Sequence, residues 1–159
     1  GRSGAVARWR SRASRSAISS ARLLRLAFTP CSLNCPCRRR ARSSALQGAL
    51  GGLRTGIAGY FADQSVSGTA AYPTLVQLET LGTVMQEAIP ANPYNDSNDV
   101  ISATSGQATA RTVDSSSTAG YRYYVDNTLT PPAAVIYANT DDETRVTDPA
   151  GGYFEANQL

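Results

Sequence analysis

The 159-residue chain contains no histidine and no lysine. Without histidine it lacks the usual general base near neutral pH, every His-centred triad and the commonest metal ligand. Without lysine all of its basic side chains are arginines, a bias that points to GC-rich codons rather than to a chemistry. Acids are missing from the first 62 residues, the earliest being Asp63. Long apolar runs are missing too. The uncharged stretch near the start that includes Leu26 to Pro36 is broken by Pro30 and carries Asn34, whereas a membrane-spanning helix needs ~20 apolar residues. The three cysteines, Cys31, Cys35 and Cys37, lie close together, so everything after them is held without a disulfide.

What is present divides into two unlike parts. Residues 1–43 carry eleven arginines and no acid, while residues 44–159 carry four arginines against twelve carboxylates, a net charge of −8. This asymmetry assigns the parts different roles. Residues 1–43 do not read as a folded unit, and four readings compete. Arginine contacts to phosphates would make a nucleic-acid-binding arm, but only Trp9 offers stacking, and no nucleic-acid partner is expected. An Arg- and Ser-rich, acid-poor segment also fits an organellar transit peptide. A zinc site at Cys31, Cys35 and Cys37 lacks a fourth ligand. The reading favoured here is a stretch translated out of frame from GC-rich DNA, with a disordered segment as the alternative.

From Ser44 the pattern is helical. Leu46, Leu50, Leu53, Ile57 and Tyr60/Phe61 recur at steps of three and four, one apolar stripe. Gly48, Gly51, Gly52, Gly56 and Gly59 weaken this helix, each by about 1 kcal/mol against alanine, so packing must hold it. Gly48, Gly52 and Gly56 share a face, and close packing on a sheet is the expected reason. After a loop, Thr74 and Gln77 form a capping box opening a second helix with Leu75, Leu78, Leu81/Gly82, Met85 and Ile89 as its stripe, ended by Pro90 and Pro93. Turn residues at Asn95–Asp99 precede short strands. Val100–Thr104 and Gln107–Val113 are expected to form a hairpin about Ser105-Gly106. Tyr121–Val125 and Ala133–Ala138 are the clearest strands, rich in aromatic and β-branched residues. Asn139–Leu159 reads as an acidic, loop-like end. The fold class expected is α+β: one long helix, a short second helix, then a small antiparallel sheet.

Several of these stretches together resemble one family, the bacterial pseudopilins and type IV pilin-like proteins, over residues 44–140. Leu46–Phe61, with Leu53-Arg54 before an aromatic-rich turn, is similar to the second half of the pilin spine helix. Tyr72-Pro73-Thr74-Leu75 resembles the tyrosine-proline that opens the next helix. Ala88-Ile89-Pro90-Ala91-Asn92-Pro93-Tyr94-Asn95 resembles the junction after it, and Gly120–Tyr124 with Val135–Asn139 the terminal hairpin. The resemblance implies a pilin-like head at 44–140, followed by an acidic tail at 141–159. It also implies a structural subunit of a type II secretion pseudopilus or a type IV pilus-like filament. Such a subunit assembles with other pilin-like subunits and with inner-membrane secretion or pilus machinery, its head in the periplasm or outside the cell. The family's basic leader, cleavage site, apolar spine and glutamate at the fifth mature position are not legible in residues 1–43.

For chemistry, Asn95, Asp96, Asn98 and Asp99, and separately Asp141, Asp142 and Glu143, are dense in oxygen ligands. They could hold Ca²⁺, which major pseudopilins of type II secretion bind in the head's terminal loops. The spacing is not that of an EF-hand, and a solvated turn is the plainer reading. No cofactor is assigned. Tyr121, Tyr123, Tyr124 and Tyr137 form either a stacking platform or strands half in the core and half on the surface. No nucleophile has an evident activating partner, and no enzymatic activity is expected. The alternative to a filament subunit is a small secreted or periplasmic binding module.

Overall fold

Leucines spaced three and four apart give a helix one apolar line, and a line of that width needs a sheet or another helix to cover it. In the structure, a computed structural model describing residues 36–159, helix α1 (Pro36–Val66) carries this line. Leu46, Leu50, Leu53 and Ile57 are all buried, as their spacing requires. Removing one such leucine from water contributes about 1.5–3 kcal/mol.

Helix α1 starts inside the Arg-rich segment, ahead of the boundary expected at Ser44. Arginine and alanine are good helix formers, so the run from Arg38 to Arg42 extends the helix despite its charge. Ser43 is buried: its hydroxyl donates to the Arg39 carbonyl (2.9 Å) and accepts from the Arg145 backbone N–H (3.0 Å). Charge reversal and fold boundary therefore do not coincide. Cys37 is exposed. The remaining readings of residues 1–35, including a zinc site through Cys31 and Cys35, lie outside the described residues.

The second helix is shorter than expected. Its capping box forms, with Thr74 N–H donating to the Gln77 side chain (2.8 Å) and Thr74 Oγ1 accepting from Gln77 N–H (3.3 Å). Yet α2 (Leu75–Glu79) stops well before Ile89. Gly82 at φ +80° turns the chain, leaving Leu81 on the surface. Met85 and Ile89 reach the core from irregular backbone instead.

The hairpin expected about Ser105-Gly106 does not form. Strand β1 (Val100–Ser102) is followed by helix α3 (Ser105–Ala110). Thr104 caps α3 through a second box with Gln107, in the same Thr-x-x-Gln pattern that opens α2. The crossover through α3 brings β1 parallel to β2 (Tyr121–Asp126), with Val100 opposite Tyr121 and Ser102 opposite Tyr123. Parallel neighbours need such a crossover, because a two-residue turn cannot reverse direction twice. Strand β3 (Ala133–Ala138) pairs antiparallel with β2, from Tyr121 opposite Ala138 to Asp126 opposite Ala133. The sheet is thus mixed, in the order β1-β2-β3, and not wholly antiparallel.

The acidic end is not a loop. Strands β4 (Glu143–Thr147) and β5 (Tyr153–Glu155) make a two-stranded antiparallel ladder, closed by a 3₁₀ turn at Ala156–Gln158. Thr144 is buried and its hydroxyl donates to the Phe154 carbonyl (2.6 Å). Polar residues at most positions hide this ladder from a hydrophobic pattern. The architecture is α+β, and the described residues belong to one compact unit, Cys31–Leu159. Its core joins the α1 stripe to Tyr121, Tyr123, Ile136 and Ala138 of the sheet, with Leu78, Val100 and Ala156 at its margins.

Candidate functional site

A helix that buries one stripe presents its other side to whatever lies outside. On α1 that side includes four exposed glycines, Gly48, Gly51, Gly52 and Gly59. Among the described residues, a Cβ placed on Gly48, Gly51, Gly52 or Gly59 would meet nothing within 4 Å. The expectation that Gly48 and Gly52 pack on the sheet is therefore corrected: the leucine stripe alone does that. Gly56 differs, since its Cβ would fall 2.6 Å from Met85 Sδ and 3.2 Å from the Val84 carbonyl oxygen. Within the described residues, four glycines weaken α1 without any close approach that requires them.

The short motifs sit where tyrosines hold loops to the sheet. Tyr72 stacks on Phe61, ring centres 4.3 Å apart, and its backbone N–H and carbonyl both pair with the Asn127 side chain (2.8 and 2.9 Å). Pro73 is buried beside it, its carbonyl accepting from the Tyr123 hydroxyl (2.7 Å). Tyr121 donates likewise to the Pro90 carbonyl (3.0 Å). Asn92, fully buried, donates to the Gly120 carbonyl (2.9 Å) and accepts from Tyr94 N–H (3.0 Å). A Cβ on Gly120 would fall on the Ser97 carbonyl oxygen. Glycine is required there by close approach, not by φ.

Tyr121, Tyr123 and Tyr137 are buried and Tyr124 is half-buried, so they form no open stacking platform. Burial pushes the Tyr121 hydroxyl up to about 12, and burial followed by the nearby Tyr72 raises that of Tyr123. Tyr137 lies opposite Arg122 on the far face of the sheet, beneath α3. Arg122 is also buried, donating to the Thr112 carbonyl (2.9 Å) and Gln107 Oε1 (2.8 Å). Strand β2 is therefore covered on both faces where it begins.

The acidic residues are spread over several loops. Asn95 and Asp141 line one open cleft together with Asp114, Ser117, Asn139 and Thr140, while Asp96, Asp99, Asp142 and Glu143 do not. Three of these carboxylates already accept from neighbours. Asp114 takes the Ser116 hydroxyl (2.6 Å) and N–H (3.1 Å), which hold its pKa below the usual range. Asp142 takes the Thr140 hydroxyl (2.7 Å), and Asp99 is 3.4 Å from that of Ser97. Among the described residues no three acids or cysteines gather as a metal cluster.

Reading the sequence missed Asp114 and, more importantly, Arg54 and Arg111, which line one cavity. A signal existed, because arginines are scarce in a segment rich in acids. No known protein family, curated protein or solved structure matches the chain significantly.

Proposed function

We propose that this chain is a structural filament subunit of the pseudopilin kind, acting without catalysis. It assembles with pilin-like subunits through α1 and is handled by inner-membrane secretion or pilus machinery, with its head in the periplasm or outside the cell. One observation carries the reading: a long helix whose leucine stripe serves its own head and whose glycine side is left bare by the described residues. Bare glycine permits close approach of a neighbouring backbone, and a filament of parallel helices supplies one. The motif residues that resemble the family support it as well, since Tyr72-Pro73, Pro90 and Asn92 each anchor a loop to the sheet. Among the described residues no helix is long and apolar enough to cross a membrane.

The test has two arms. The coding DNA upstream of α1, read in all three frames, should encode a basic leader and an apolar spine. With that spine joined to α1 and the assembly machinery present, Gly52→Cys should cross-link neighbouring subunits into a ladder of oligomers. A spine-bearing chain that stays monomeric in membranes removes the filament reading and leaves the binding module in its place.

A further inference from the structure

A cavity of about 260 Å³ lies between α1 and β3, the edge strand of the sheet. Ile57, Val135 and Ile136 give it an apolar wall, and Tyr72 closes one part. Arg54 from α1 and Arg111 from the end of α3 also line it. Neither guanidinium has a carboxylate within 4.0 Å among the described residues, where Arg39–Glu143 is the one ion pair. Their own bonds are few. Arg54 donates to the Ile136 carbonyl at a long 3.4 Å, and Arg111 Nη1 to the Gln158 carbonyl at 2.5 Å and the Asn157 carbonyl at 3.5 Å. Each guanidinium has five N–H donors, so most remain available.

Two further features bear on the same place. Partial burial, then the charge of Arg111, lower the pKa of Arg54; the two cations feel each other across the cavity. Arg111 also adopts left-handed backbone, φ 50° and ψ 43°, at the end of α3. Glycine takes that position by default, and an L-residue there costs roughly 1–2 kcal/mol. Repelling cations beside an apolar wall are relieved by an anion that brings its own hydrocarbon.

We propose that the Arg54–Arg111 cavity binds a small apolar carboxylate, its charge between the two guanidinia and its body against Ile57, Val135 and Ile136. Arginine forks match carboxylates in geometry. Inorganic phosphate would satisfy the arginines but leave the apolar wall uncovered. The volume falls just under the ~300–1,000 Å³ of drug-sized sites, which selects a short chain or a single ring. The site stands apart from the glycine side of α1, so its fate and that of the filament reading are separate.

The experiment titrates the full chain with hexanoate and benzoate, followed by calorimetry and amide NMR shifts, against benzamide, inorganic phosphate and a short acidic peptide. Saturable binding of both carboxylates is expected, with benzamide and phosphate roughly tenfold weaker or more, the difference a charge-assisted pair makes. Arg54→Gln and Arg111→Gln should each weaken benzoate by a similar factor, while Arg145→Gln, which lies outside the cavity, should not. Ala58→Glu puts a carboxylate on an exposed wall position. It should abolish binding with the fold intact, which keeps the test decisive should Arg111→Gln fail to fold. Absent saturation, equal binding of acid and amide, or preference for phosphate would overturn the proposal. So would tight binding of the acidic peptide alone, because the carboxylate would then come from a protein.

Discussion

Substituting the α1 glycines separates what the helix does for its own fold from what it would do for the proposed neighbour. At Gly52 the added methyl meets nothing within 4 Å among the described residues, and the glycine-to-alanine change in a helix interior is worth about 1 kcal/mol. Gly52→Ala should therefore stabilise the isolated protein by about that amount, raising its melting temperature by about 4 °C for a domain of this size. Gly48→Ala should behave alike. At Gly56 the same propensity gain is opposed. Met85 Sδ can swing aside, but the Val84 carbonyl at 3.2 Å is backbone and must itself move. Gly56→Ala should fall short of Gly52→Ala by about 1 kcal/mol, and Gly56→Val should destabilise outright. Leu53→Ala, in the buried stripe, sets the opposite bound, a loss of ~2–5 kcal/mol. Circular-dichroism melts and urea titrations of the five variants supply the ranking. Gly52→Ala melting below the parent protein would mean that this face is already covered within the chain. Gly56→Ala matching Gly52→Ala would mean that the Val84–Met85 segment does not rest on α1. If the chain assembles as proposed, the sign at Gly52 should reverse in the filament, with the better-folded variant assembling worse.

Three more outcomes follow from the sheet and its loops. Gly120→Ala should cost about 2 kcal/mol or more, because its methyl meets backbone at Ser97 and displaces the loop that Asn92 holds; a melt within error of the parent protein would refute the close approach. Tyr121, at about 12 when folded against about 10 when unfolded, keeps its proton in the fold after the unfolded chain has lost it. The contribution of this group should thus be flat below pH ~10 and fall between ~10 and ~12 by up to about 1.4 kcal/mol per pH unit. Urea titrations across that range would show it, and Tyr121→Phe should flatten the slope. Millimolar calcium should leave the melting midpoint where chelator leaves it, since Asp114, Asp99 and Asp142 are occupied by neighbouring hydroxyls; a site filled at 100 times its dissociation constant would add ~2.7 kcal/mol.

The parts of this fold legible in the sequence are those written as apolar periodicity or as a local hydrogen-bond pattern. The α1 stripe, the Thr74–Gln77 box and the strands β2 and β3 are of that sort. The Thr104–Gln107 box is equally local, but Gly106 and the β-branched residues around it mimic a hairpin, so the helix is hidden by its own turn-like composition. Strands β4 and β5 were illegible for another reason. Their buried positions include Thr144, whose hydroxyl donates to a partner strand ten residues away, and polar burial leaves no hydrophobic trace. The Arg54–Arg111 cavity is of that second sort. Its residues stand far apart in the chain, and only the meeting of α1, the end of α3 and β3 makes them one site.

The bond from Arg145 N–H to the Ser43 hydroxyl spans 102 residues and ties β4 to the beginning of α1. It bears on the order in which the molecule is made. The helix emerges from the ribosome before β2, β3 and β4, the elements that cover it, and its glycines leave it too weak to persist alone. Its leucine stripe stays uncovered while about a hundred further residues are synthesised. Helix and sheet must then form in a single late step, each supplying the surface the other lacks. Helical signal and core burial should appear together in refolding, with no stage at which α1 is formed and the sheet is not.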